Sequence, residues 1–286
     1  MFNLPTEVAE FEDLMPSKFL IGSHQGTGKT TAVSLLPNCL VLDLEAGSEG
    51  YGGLSFNLKK EMAKWNINPA NKDQQLNAVG AWNFFINSLK EANKKAGKFV
   101  YDYLAVDTTS AMQAITSLKA TAMFNNGVVG KGMAKKNDGV LVKDVTTELP
   151  EGGGWLWFFR AWEEMYEQLD GLVDKSVIFL AHTKQGSMLK NGQQVAARDL
   201  DLSGKSKLHL LRNVPTAGFL YRDDPYTTKM TFKSEDKDLT IKCRSRHLAD
   251  KEIVFSKLNP ETGELTVYWN LIYPDWIPAP ITKKVQ

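Results

Sequence analysis

The chain has 286 residues, 43% of them hydrophobic, and its 34 lysines and arginines almost balance 33 acidic residues, leaving a net charge of +1. Such a length and apolar content suffice for a sizeable core, while near-neutrality excludes a global pull toward nucleic acid or membrane, so any such binding has to come from local patches. No apolar run approaches the roughly 18 residues of a membrane span, and the opening MFNLPTEVAEFEDL is acidic rather than a basic leader, so a cytoplasmic chain without a membrane partner is expected.

In chain order, an extension over 1–17 precedes the apolar run KFLI, which reads as a strand; a Gly-rich turn follows, then a helix from about Thr30 and a second buried strand, CLVLDLE. A helical pattern from Asn71 to Lys95 runs through Leu76, Val79, Phe84, Ile86 and Leu89 and ends at Gly97, delivering the chain to a third strand, YDYLAVD. A helix through Met123 comes next, then a polar segment from Asn125 to Gly154. After it, Trp155, Phe159, Trp162, Tyr166 and Leu169 recur at three- and four-residue spacing, the core face of an amphipathic helix. SVIFLAH is the fourth buried strand. Past Gly204 the runs shorten and alternate, as GFLYR, TKMTF, LTIKCR, EIVFS and LTVYWN, which predicts antiparallel strands continuing one sheet. PDWIPAP places a loosely ordered Pro-rich tail over 271–286. Strands alternating with helices predict an α/β fold with a mainly parallel twisted sheet, forming one domain over 18–270. Cys39 and Cys243 lie far apart without a Cys or His at metal-ligand spacing, so reduced thiols are favoured over zinc or a disulfide.

The stretch KFLIGSHQGTGKTTAVSLL, Lys18 to Leu36, has the makings of a phosphate cradle. A triphosphate needs bare backbone N–H groups around its β-phosphate, a helix N-terminus behind them, a lysine for the γ-phosphate and a hydroxyl for magnesium. Gly26 and Gly28, with Thr27 between them, supply the backbone; Lys29 is the cation, Thr30 the magnesium hydroxyl, and Thr31 reaches the α-phosphate side. The pattern G-x-x-x-x-G-K-[ST] asks for glycine where Ser23 stands, a position that opens the loop, and neighbouring Gly22 is expected to supply the flexible turn. ATP and Mg2+ are the implied ligands.

Such a site also needs a carboxylate at a neighbouring strand end. Asp107 follows an apolar run and precedes hydroxyl residues, the setting to hold a magnesium water, and it can equally cap the next helix. Asp43 and Glu45 end the strand after the cradle helix, where one could polarise an attacking water or the pair could be merely solvated.

The order of strand, cradle, helix, LDLE, a strand ending VD and then VIFLAHTKQG is similar to the RecA-type recombinase core, and in particular to small phage-encoded RecA-like ATPases that assist single-strand annealing and recombination. The resemblance covers about Lys18 to Leu248. It implies that Glu45 activates water and that His182, where the bacterial protein has an amide, senses the γ-phosphate. Two mobile DNA-gripping loops would correspond to Asn125–Gly154, with Lys131, Lys135, Lys136 and Lys143, and to Lys184–Ser206, with Lys184, Lys190, Arg198 and Lys205. Mobile cationic segments suit a phosphate backbone. Lys242 and Arg244, alternating with Arg246 on TIKCRSR, would reach a neighbouring subunit's γ-phosphate, or else form an ordinary solvated strand edge.

The resemblance therefore implies an ATP-dependent, single-stranded-DNA-binding ATPase of phage recombination, annealing or replication, acting in the host cytoplasm. It would self-associate into a filament or ring and work with a single-strand-binding or annealing protein. The alternatives are a nonhydrolytic ATP-driven assembly switch and a P-loop kinase of small molecules, although the clustered lid arginines a kinase would need are not evident.

Overall fold

The computed structural model describes residues 14–47, 52–64, 75–190, 193–233 and 241–284, and at 64, 75–78, 186–190 and 193–198 the backbone alone. Along the chain come β1 (Lys18–Ser23), α1 (Lys29–Ser34), β2 (Cys39–Asp43), β3 (Leu54–Asn57), α2 (Leu58–Lys64), α3 (Gln75–Ala96), β4 (Tyr103–Asp107) and α4 (Thr109–Asn126). Then follow α5 (Val128–Lys136), α6 (Val145–Glu148), α7 (Gly154–Glu167), β5 (Ser176–Lys190), β6 (Gln193–Leu200), α8 (Gly204–Asn213) and β7 (Thr216–Arg222). The last strands are β8 (Thr227–Thr231), β9 (Lys242–Cys243), β10 (Glu252–Asn259), β11 (Glu264–Val267) and β12 (Ile281–Lys284).

They build a 12-stranded sheet in the order β12-β11-β10-β8-β7-β1-β5-β4-β2-β3, with β6 on β5 and β9 on β7. Along the run β7-β1-β5-β4-β2-β3 neighbouring strands are parallel, and β8 to β12 add antiparallel strands, as expected of this α/β class. The antiparallel pairing expected of GFLYR holds on one side, where β7 pairs with β8, but not on the other. As β7 it lies parallel to β1, because α8 carries the chain back across the sheet before β7 begins.

Every residue of β2 and β4 is buried, which explains their unbroken apolar runs: a parallel strand covered on both faces has no solvent side to alternate with. One face packs under α3, α4, α7 and α8 through Trp82, Phe85, Met112, Trp162, Tyr166 and Leu210. On α3 the buried stripe runs through Trp82, Phe85, Ile86 and Leu89, so Ile86 and Leu89 lie in the core as expected, while Phe84 is 46% exposed and the side chain of Leu76 lies outside the described residues. Trp155, likewise assigned to the core, is 45% exposed at the start of α7.

The opposite face is covered by α1 and by the segment expected to be a loose tail. Ile272, Tyr273 and Ile277 are buried in the core, and β12 pairs with β11. The prolines did not prevent this because the apolar residues between them meet the sheet face beside α1, each burial being worth about 1.5–3 kcal/mol. Trp269 Nε1 donates to the Ala32 carbonyl at 2.9 Å and the Tyr273 hydroxyl to Ser176 Oγ at 3.0 Å, so the polar ends are satisfied as well.

The polar segment 125–154, read as a mobile loop, is built instead as α5, α6 and a 3-10 turn over 150–152. Val142 and Val145 pack beside Phe124, Phe158 and Ala161, and Asn125 ties the return by exchanging two hydrogen bonds with the Val142 backbone at 2.8 and 3.2 Å. Gly154 permits the closure, since a Cβ there would sit 1.6 Å from the Val145 carbonyl oxygen. Segment 184–206 is likewise mostly regular: β5 and β6 form a long antiparallel ribbon, and α8 begins at Gly204.

Candidate nucleotide site

The parallel strands place their C-terminal ends side by side. Register puts Ser23 of β1 opposite His182 of β5, Leu180 of β5 opposite Asp107 of β4, and Asp107 opposite Asp43 of β2. β5 thus separates the cradle strand from the strand carrying Asp107, and side chains from distant parts of the sequence face one cleft. Its volume is about 300 Å3, and Gly26 to Thr31, Glu45, Asp107, Thr108, His182 and Arg222 are among the residues that line it. Open-sheet enzymes bind ligands at such strand ends.

The cradle turns through Gly26 at φ 75° and Gly28 at φ 94°, left-handed values that favour glycine. Gly22 does not provide the turn. It lies within β1, and a Cβ on it would press on Thr183 Cγ2 at 3.3 Å and Leu200 Cδ2 at 3.4 Å, so its role is close packing against β5 and β6. Ser23, the departure from the glycine pattern, is completely buried. Its hydroxyl is in contact with Thr27 Oγ1 and accepts a 2.6 Å hydrogen bond from Lys29 Nζ. Lys29 also donates to the carbonyls of Ser23 and His24 at 3.3 and 3.2 Å. The lysine is therefore folded back onto the loop, held by acceptors that phosphate oxygens would replace. Burial lowers its pKa to about 8, against the opposing pull of Asp107 and Glu45.

Thr30 Oγ1 donates to Asp107 Oδ2 at 2.6 Å, which brings the expected magnesium hydroxyl and carboxylate together. Burial raises the Asp107 pKa, the Thr30 hydrogen bond opposes this, and repulsion from Asp43 and Glu45 adds to it. A divalent cation would relieve that concentration of carboxylate charge. Among the described residues no three His, Cys, Asp or Glu side chains form a protein-only metal cage, and magnesium held largely by phosphates and water needs none. The residues present fit that ion.

Asp43 and Glu45 divide into two roles that spacing left open. Asp43 is fully buried, its Oδ1 accepting the backbone N–H groups of Glu45, Ala46 and Gly47 at 3.0, 2.7 and 3.2 Å. It fixes the strand-end turn. Glu45 emerges from that turn into the cleft, where Thr108 Oγ1 donates to its Oε1 at 2.6 Å and His182 Nε2 stands 3.4 Å from its Oε2. The other ring nitrogen of His182 is 3.4 Å from Lys29 Nζ, so the histidine stands between the lysine and the glutamate. Thr108 combines two tasks, since its side chain also caps α4 by accepting from Ala111 N. The capping alternative considered for Asp107 belongs to its neighbour.

Arg222 was missed. It ends β7, next to β1, and donates to the Gly26 carbonyl at 3.0 Å. Had GFLYR been read as a strand parallel to KFLI, its last residue would have been placed beside the cradle.

The other candidates lie elsewhere. Lys242 and Cys243 pair with Ala217 and Thr216, at the end of β7 remote from the cradle, so neither Lys242 nor the adjacent Arg244 enters this chain's own cleft. Lys242 Nζ instead donates to the Leu211 and Arg212 carbonyls at 2.9 and 3.0 Å, closing the C-terminus of α8. Lys131, Lys135 and Lys136 are exposed on α5, and Lys205 is exposed in the first turn of α8, with its ammonium 5.9 Å from the Phe159 ring centre. Lys190 and Arg198 fall on β5 and β6, where the side chains lie outside the described residues.

Residues 15–240 match a family model described as an AAA domain. No curated protein matches the chain. Among solved structures, one reported as a prototypical ATPase from the type III secretion system of pathogenic bacteria is similar at 13% identity and a TM-score of 0.34, over 73% of this chain and 53% of that one. The present chain thus spans about half the length of that structure. Among the described residues no helix is long and apolar enough to cross a membrane.

Proposed function

The chain belongs to the AAA-domain family, as a P-loop ATPase domain, and from that premise we propose that it hydrolyses ATP in a manner stimulated by single-stranded DNA, in phage recombination, annealing or replication. The observation that carries the chemistry is the convergence of Lys29, Thr30–Asp107 and Glu45 on one cleft from three different strand ends.

In this reading the N–H groups from Gly26 to Thr31 receive the phosphate chain, and Lys29 exchanges Ser23 and the loop carbonyls for γ-phosphate oxygens. Glu45, held in place by Asp43 and Thr108, accepts a proton from the attacking water. Thr30 and Asp107 would hold magnesium, which when bound neutralises charge on the β- and γ-phosphates. His182 would register loss of the γ-phosphate, because it lies next to both Lys29 and Glu45. Its carbonyl accepts from Asp201 N at 2.8 Å, which connects the cleft to the ribbon and to α8.

Support for a single-stranded partner comes from side chains that the fold brings together. Trp155, Phe158 and Phe159 of α7 meet Ser203 to Ser206 around an apolar cavity of about 260 Å3. The exposed Lys205 stands at its edge and α5 carries three more lysines, a combination suited to stacked bases and phosphates. Self-association into a filament or ring and a single-strand-binding or annealing partner belong to the same proposal. In such an assembly Arg244 would be available to a neighbour's cleft, while Lys242 is occupied by α8.

Steady-state ATP hydrolysis with and without single-stranded oligonucleotide tests the reading. Turnover that rises with DNA is expected. ATP binding without turnover would point to an assembly switch, and phosphate transfer to a small acceptor would point to a kinase.

A further inference from the structure

We propose that Arg222 is a second phosphate-binding cation of the nucleotide cleft, supplied in cis by the end of β7; this rests on the nucleotide reading of that cleft. The parallel register sets Ser23 beside Leu220, so two residues later Arg222 stands level with the start of the cradle, on the side away from β5. It lines the same cleft as Lys29, Asp107 and Glu45. Its guanidinium is exposed and donates to the Gly26 carbonyl at 3.0 Å.

The neighbouring carboxylates are engaged elsewhere. Asp223 is held by Lys229 at 2.8 Å, and Asp224 accepts the Tyr226 backbone N–H at 2.7 Å. Among the described residues no carboxylate pairs with Arg222. A guanidinium has five donor hydrogens in a planar fork suited to phosphate, and among the described residues one loop carbonyl accepts from it. Meanwhile Lys29 feels the charges of Asp107 and Glu45, which offset part of its own. An incoming triphosphate brings several negative charges, and among the described residues that line the cleft Arg222 is the one lysine or arginine besides Lys29. Moving from the Gly26 carbonyl to a phosphate oxygen exchanges a neutral acceptor for a charged one, which strengthens the bond. The same move frees the Gly26 peptide, so cradle closure and the position of β7 are linked.

The test compares wild type, Arg222→Gln and Lys29→Ala for binding of a fluorescent ATP analogue, with inorganic tripolyphosphate as competitor. Glutamine keeps a donor for the Gly26 carbonyl but removes the charge. Arg222→Gln should weaken the analogue and tripolyphosphate alike, by about tenfold or more, with no change in the melting temperature of the nucleotide-free protein. Unchanged affinity for both ligands would overturn the assignment. So would a loss confined to the analogue, which would place Arg222 on the base or sugar, or a lowered melting temperature in proportion, which would make it a loop brace. If wild type binds neither ligand, the nucleotide reading itself falls; if Lys29→Ala loses binding while Arg222→Gln retains it, only the role of Arg222 falls.

Discussion

The nucleotide cleft and the exposed lysines of α5 and α8 are organised in opposite ways. In the cleft the polar groups are largely buried and satisfy one another: Lys29 on Ser23, Thr30 on Asp107, Thr108 on Glu45, and Asp43 on three backbone N–H groups. On the other surface Lys131, Lys135, Lys136 and Lys205 are exposed. Buried polar groups must be paired at high geometric cost for error, so the cleft specifies its ligand before the ligand arrives. An exposed cation fixes only the sign of its partner. The chemistry of the first region is therefore much more determined by the fold than that of the second.

Lys29→Ala is the change expected to break the cleft most completely. Turnover should fall by at least about a hundredfold, since the cation on the γ-phosphate is lost, and steady-state ATPase together with nucleotide binding measures it. Wild-type turnover would remove the cleft from the mechanism.

Glu45→Gln sharpens the contrast within the cleft by separating chemistry from binding. Hydrolysis should drop about a hundredfold while ATP affinity stays close to wild type, as single-turnover and equilibrium measurements can show. Equal loss of both would make Glu45 a structural partner of Thr108 and nothing more.

The buried lysine also predicts a pH dependence that an exposed lysine would lack. With a pKa lowered to about 8, Lys29 loses its proton in the free protein as pH rises through that value, whereas bound phosphate favours the ammonium. ATP affinity should thus fall above pH 8, by up to about tenfold per unit, with a proton taken up on binding. Titration calorimetry in buffers of different ionisation enthalpy reads that uptake. The sign for stability is opposite: between about 8 and 10.5 the unfolded chain holds this proton and the folded one does not, so the nucleotide-free protein gains stability from this group as pH increases through that window.

Neutralising Lys131, Lys135 and Lys136 should produce the smallest and most selective effect. Each lost phosphate contact lowers the salt slope of single-strand binding by about 0.7, while ATP turnover without DNA remains unchanged. An unaltered slope would leave the α5 surface without a role in nucleic-acid binding.

The cradle was legible because its requirements are local: Gly26, Gly28, Lys29 and Thr30 are consecutive or nearly so, and the apolar run before them and the helix after them fix how they point. Asp107 and Glu45 could be found at strand ends for a similar reason, since a buried parallel strand is visible as an apolar run. By itself, then, the sequence determined the α/β class, the parallel core and most of the residues that meet in the cleft, Arg222 excepted. Tertiary structure decided what depends on neighbours remote in sequence. Strand register brought Arg222 to Gly26 and sent Lys242 to the far end of β7. Close packing folded the polar stretch 125–154 into helices, and the sheet face beside α1 drew Ile272, Tyr273 and Ile277 into the core. Asp43 and Glu45 stand two residues apart with the same charge, and only the three backbone N–H groups converging on Asp43 distinguish the one that braces the turn from the one left facing the cleft.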